Sequence, residues 1–170
     1  MFKKLFGVAL MLALVLPVSS SAMDMTGKVG LGYFQSDAPI GLRYWFSDKT
    51  GFDAGLGFES FDRGAESEFN FYLEGGLDYV IFGGDRANLM LRPGILARFL
   101  DEDFNANEME LVFKLLAAGE VFFGENFSLE AGHGLEIVIE NPSAPGADSQ
   151  TNIFTNAASI TGLGFHFYFK

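Results

Sequence analysis

The chain has 170 residues, room for one domain, and carries 22 acidic against 11 basic side chains, a formal charge of −11. Nucleic acid is excluded as a partner, because tracking phosphates takes clustered Lys and Arg. The sequence holds no cysteine, which rules out a disulfide scaffold, a metal–thiolate centre and thiol redox chemistry, and no cofactor is expected.

Residues 1–22 read as an export signal. Lys3 and Lys4 precede an apolar run from Leu5 to Val18, and Ser20, Ser21 and Ala22 supply the small residues of a cleavage site. The run is shorter than the roughly 20 residues a spanning helix needs. Cleavage after Ala22 leaves a mature domain of residues 23–170.

From Lys28 onward the pattern is alternation of period two, the mark of strands with one apolar face. A strand near 27–36 sets Val29, Leu31 and Tyr33 against Lys28, Gly30 and Gly32. A second near 39–47 sets Ile40, Leu42, Tyr44 and Phe46 against Gly41 and Arg43, and a third at 52–61 sets Phe52, Leu56 and Phe58 against Asp53, Gly57 and Glu59. The same grammar recurs near 69–82, 88–100, 109–123 and 127–140, with Glu74, Asp78, Arg92, Arg98, Glu110, Lys114, Glu120, Glu130 and Glu136 in the polar phase. An eighth strand in 157–170 sets Thr161, Leu163, Phe165, Phe167 and Phe169 against Gly162, Gly164, His166 and Tyr168. Pro93, in the apolar phase, removes a ladder donor and is expected to mark a bulge or bend.

Short connections at Ser47–Gly51, Gly83–Ala87 and Gly124–Asn126 alternate with longer polar ones at Asp62–Glu68, Asp101–Glu108 and Asn141–Phe154. Such a rhythm suits an up-and-down barrel with tight turns at one end and longer loops at the other. The polar face decides which way the barrel turns. It is glycine interleaved with single charges, and glycine weakens a strand unless space is short, as it is inside a narrow tube. The apolar face then looks outward. With the first strand running up, Tyr44, Phe46, Phe52, Tyr79, Phe123, Phe127, Phe165, Phe167 and Phe169 gather at the turn end, and Tyr33, Phe58, Phe69 and Phe99 at the loop end, like two interfacial girdles.

Over 27–170 this pattern resembles the small eight-stranded outer-membrane barrels of Gram-negative bacteria, the outer-membrane protein A and X types. The resemblance implies an all-β, eight-stranded antiparallel up-and-down transmembrane β-barrel, monomeric, with outer-membrane lipid and lipopolysaccharide as its surroundings. The closing aromatic strand resembles the terminal strand read by the barrel-insertion machinery, with Lys170 after Phe169 as a departure.

Three functions follow as expectations. The first is a structural or surface-interaction protein without enzymatic activity, its lumen plugged by a charge network of Arg43, Asp53, Glu59, Glu74, Asp78, Arg92, Arg98, Glu110, Lys114, Glu120, Glu130 and Glu136. The second is a small porin-like pore favouring cations, because acids outnumber bases on the inner face. The third rests on a resemblance to outer-membrane lipid A deacylases, eight-stranded barrels whose catalytic His and Ser face the membrane. It makes His133 a candidate general base. In that family the Ser lies two residues after the His, where this chain has Leu135, so Ser159 or Thr161 would have to substitute. The simpler expectation is a β-bulge that turns His133 inward. Asp101, Glu102 and Asp103 are weak candidates for a divalent metal, as oxygen donors without the calcium-loop spacing; the plainer expectation for them is a solvated acidic loop.

Overall fold

The computed structural model describes residues 23–34, 36–62, 64, 67–101, 107–142, 148–155 and 162–169. They form nine strands: β1 (Val29–Phe34), β2 (Ile40–Trp45), β3 (Thr50–Asp62), β4 (Ser67–Gly83), β5 (Ala87–Phe99), β6 (Asn107–Phe122), β7 (Phe127–Pro142), β8 (Gln150–Phe154) and β9 (Gly162–Phe169). Each of β1 to β7 pairs antiparallel with the next, and β9 pairs with both β1 and β7, closing the sheet.

The wall has eight positions because β8 and β9 share one. Phe127–Gly132 of β7 faces β9, whereas Glu136–Glu140 faces β8. The expected eighth strand is therefore split. Its loop-end part, Gln150–Phe154, falls inside the stretch expected to be a loop, and residues 157–161 lie outside those described. Asn, Thr and Gln in β8 weaken the alternation there, which is why periodicity passed over it.

Closure requires a fixed stagger of hydrogen-bond register. Partners traced from Phe167 run through Leu31, Leu42, Ala54, Gly75, Ile95 and Phe113 to Ile137 on β7, yet Phe167 itself pairs with Phe127. The stagger is ten residues over eight positions, which tilts the strands by about 40°. A tube of this size is just wide enough for side chains to fill it.

The alternation resolves as expected. In β9, Leu163, Phe165, Phe167 and Phe169 are exposed and Gly162, Gly164, His166 and Tyr168 are buried. Leu31, Leu42, Leu56, Leu73, Leu77, Ile95, Leu115 and Leu129 are exposed in the same way on the other strands. A continuous apolar outer wall of this extent is not a surface that a soluble monomer presents to water. Aromatic rings collect at its two ends: Phe127, Phe165 and Phe167 contact one another at the turn end, Phe58–Phe69 and Phe71–Phe99 stack at the loop end. Tyr33, expected at the loop end, instead pairs with Phe165 and stacks on it at 6.1 Å. β1 is too short, at six residues, to carry it higher.

Neither Pro93 nor His133 forms the register-shifting bulge expected there. Pro93 keeps its register opposite Leu115 of β6, and pairing with β4 resumes in the same register on either side of it, from Gly76–Gly94 to Tyr79–Leu91. The missing donor interrupts a ladder without shifting it, and the shift lies between Val80 and Phe82, where Ile81 and Phe82 are both exposed. His133 stands opposite Ala117 in an unbroken β6–β7 register and is exposed on the outer wall, so no bulge turns it inward.

Candidate functional site

The lumen is layered. At the turn end Met25, Trp45, Val80, Met90, Ala118, Phe122 and Tyr168 form an apolar cluster. Met25 belongs to the segment ahead of β1, which folds back beneath the barrel: Gly27, in the left-handed region at φ 76°, donates from its N–H to the Trp45 carbonyl at 2.8 Å, and the Lys28 N–H donates to the Met25 carbonyl. Near the loop end a second cluster joins Ala38, Tyr72, Leu96, Val112 and Val138. Ala38 gets there because the β1–β2 connection turns into the tube. The Asp37 and Ala38 carbonyls lie so close to Gly57 and Gly55 of β3 that neither glycine has room for a Cβ.

Between and above these clusters lie the charges. Arg43 on β2 reaches four carboxylates: Nη1 lies 2.6 Å from Glu130 Oε2 and 3.6 Å from Glu120 Oε1, Nη2 3.2 Å from Asp53 Oδ2, and Nε 2.9 Å from Asp78 Oδ2. Arg92 clamps Asp53 with Nε and Nη2 at 2.6 and 2.7 Å and holds Glu74 with Nη1 at 2.7 Å. Phe34 lies over the Arg92 guanidinium, its ring centre 5.8 Å away. Lys114 spans Glu74 at 3.0 Å and Glu136 at 3.8 Å. Ser128 and Tyr168 both donate to Glu120 Oε1, at 2.6 and 2.7 Å. All nine of these charged groups are buried, so their mutual pairing is what makes ions tolerable in so narrow a space.

Arg98 forms a second, partly exposed set with Asp37 and Glu110, each at 2.8 Å, towards the loop end. Glu59 is exposed at the rim and accepts from the Tyr72 hydroxyl at 2.8 Å. Thus the residues predicted for the lumen divide into one continuous buried network, a partly exposed Arg98 set and Glu59 at the edge. Lys28 leaves the polar face altogether and donates to the Glu125 carbonyl at 2.9 Å. The apolar lumen residues Trp45, Met90, Leu96, Val112 and Phe122, not expected from the sequence, stand in the inward phase of their strands, so the same alternation that turns the charges inward carries them too. A cavity of about 20 Å³ beside the network, lined by Phe34, Arg43, Asp53, Arg92 and His166 among others, takes about one water.

His133 has Leu135 two positions on, and Ser159 and Thr161 lie outside the described residues. Asp101 accepts from the Phe69 N–H at 3.3 Å and its own N–H donates to Asn70 Oδ1 at 3.0 Å, which ties the loop to β4; Glu102 and Asp103 lie outside the described residues.

No protein-family model matches the sequence, and no curated protein matches it. Among solved structures, the N-terminal β-barrel domain of Pseudomonas aeruginosa OprF superposes with a TM-score of 0.51 at 16% identity, covering 85% of this chain and 98% of that one. The chain has the OprF barrel fold. At that identity the likeness to OprF concerns the path of the backbone, and the lumen contacts described above are read from this chain's own side chains.

Proposed function

We propose that the protein is an integral outer-membrane β-barrel with a sealed lumen, serving as a structural or surface-interaction element of the envelope, exported by a signal cleaved after Ala22. The observation that carries this reading is the pairing of an apolar outer wall with an interior closed twice over, by the Met25–Trp45 cluster at one end and the Ala38–Leu96 cluster at the other. In lipid every backbone polar group needs an internal partner, and a closed sheet supplies one along its ladders. Lipid and lipopolysaccharide are then the partners of the wall. The aromatic end of β9 is the segment offered to the insertion machinery.

Purified protein in detergent is expected to migrate faster in gels before boiling than after, and to give no discrete steps in planar-bilayer recording. Migration unaffected by boiling would overturn the membrane barrel. Cation-selective steps with the compact band intact would replace the sealed lumen with a pore, to which the acidic excess of the inner face would lend its selectivity.

A further inference from the structure

The buried network is unbalanced. Arg43, Arg92 and Lys114 face Asp53, Glu74, Asp78, Glu120, Glu130 and Glu136, so carboxylates exceed cations by three within one connected set of contacts. An uncompensated buried carboxylate is among the costliest groups a protein interior can hold.

Part of the imbalance falls on Asp78, whose two oxygens are buried without a hydrogen bond, and part has a second location. Glu120 Oε2, Glu130 Oε1 and His166 Nδ1 are buried and make no hydrogen bond. The three side chains come from adjacent strands β6, β7 and β9, are 0%, 2% and 4% exposed, and offer donor atoms that all lie within 4.8 Å of one another. Glycine at position 32 leaves the space that the imbedded imidazole occupies: a Cβ there would lie 2.5 Å from His166 Cδ2.

We propose that Glu120, Glu130 and His166 bind one divalent transition-metal ion inside the barrel. One imidazole nitrogen with two carboxylates is a donor set suited to zinc, cobalt or manganese rather than to calcium, which takes oxygen alone. Metal bonds of about 2.0–2.2 Å draw such donors closer together than they stand here, by about 1 Å of side-chain rotation. Arg43 stands beside the position: its Nη1 takes Glu130 Oε2, the oxygen that His166 Nδ1 approaches at 3.9 Å, and approaches Glu120 Oε1, which Tyr168 and Ser128 hold. Glu120 Oε2 and Glu130 Oε1 make no hydrogen bond and are the oxygens open to an ion. Two positive charges on the ion offset most of the excess of three, and the ion joins β6, β7 and β9 on one side of the β1–β9 seam. The proposal does not depend on the membrane reading, since the cluster is internal to the fold.

The test is metal uptake by the folded full-length protein in detergent, stripped with chelator and dialysed against cobalt(II) or zinc(II) chloride. Wild type is expected to retain one equivalent, with visible cobalt absorption of mixed nitrogen and oxygen coordination. His133→Ala, which removes the other of the two histidines, is expected to bind equally. His166→Leu and Glu120→Gln are expected to weaken binding by about 10-fold or more, with folding followed by heat-modifiable migration. Should those variants fail to fold, the imidazole nitrogen resonances of wild type and His133→Ala decide: the His166 signal is expected to shift on zinc addition. A folded wild type that retains no metal, equal uptake by His166→Leu, or an unmoved His166 resonance would each overturn the proposal, and leave protons as the counter-charge.

Discussion

Replacing Arg43 with Met tests whether the lumen network holds the barrel together. Met fills much of the same volume but removes the group that Glu130, Asp78, Asp53 and Glu120 share. Asp53 keeps its two contacts to Arg92 at 2.6 and 2.7 Å, so the loss falls on the other three. Glu130 loses a 2.6 Å contact and Asp78 a 2.9 Å one, and both are buried. Breaking a buried pair by removing one partner costs about 3–5 kcal/mol, because the stranded charge remains in the interior. With a urea dependence of about 2 kcal/mol per M, the unfolding midpoint should fall by about 2 M. Trp45, the single tryptophan and fully buried, reports the transition by fluorescence in detergent or vesicles. Arg43→Lys should fall between, since a compact ammonium cannot fork to several carboxylates. Adding Glu130→Gln to Arg43→Met should recover part of the loss, because removing both partners costs less than stranding one. A midpoint for Arg43→Met within about 0.5 M of wild type would refute the reasoning and mean that water, rather than Arg43, compensates these carboxylates.

Two further outcomes are expected. Gly32→Val would drive a Cβ into the Phe165 carbonyl and the His166 ring across the β1–β9 seam; overpacking of this kind costs about 1–3 kcal/mol, and the compact gel band should weaken, whereas an unchanged band would show that the β9 backbone itself gives way. Met25→Asp puts a carboxylate in the apolar cluster at the turn end while leaving every strand intact. Because the Ala38–Leu96 cluster still closes the loop end, vesicles carrying the variant should stay as tight as those with wild type while the unpaired buried carboxylate weakens the compact band; a cation leak would mean that the turn-end cluster alone seals the lumen.

How much could be read from the sequence differs by element. β3 to β7 were legible because each carries several alternating pairs between glycine-bearing turns and polar loops, and the resulting phase placed Glu74, Arg92, Lys114, Glu120 and Glu130 inward. β8 was not, because QTNIF alternates poorly, and its place beside β7 is a matter of register that no local pattern encodes. His133 was expected to turn inward because an exposed imidazole breaks an apolar wall, but the β6–β7 ladder runs through it unshifted. Local chemistry had argued for a distortion that continuous hydrogen bonding does not permit. The charge set was legible as types in phase. Its connectivity was not, since Arg43 and Glu130 stand 87 residues apart and meet only because the sheet closes.

That closure also orders the events of folding. Ladders from β1 to β7 join strands adjacent in the chain, whereas the β1–β9 ladder joins its two ends, Val29 to Phe169. Local hairpins can zip early, but the seam must gather nearly the whole chain before any of its bonds reward the lost entropy. Until then β1 and β9 present open edges to any other strand. The buried ions act as a proofreader of that last step. A seam shifted by one residue would turn His166 and Tyr168 outward and Phe165 and Phe167 inward, and leave Glu120 without the Tyr168 hydroxyl that now reaches it at 2.7 Å. The lumen contacts that stabilise the closed barrel therefore contribute to fidelity as well, admitting one register of closure and penalising its neighbours.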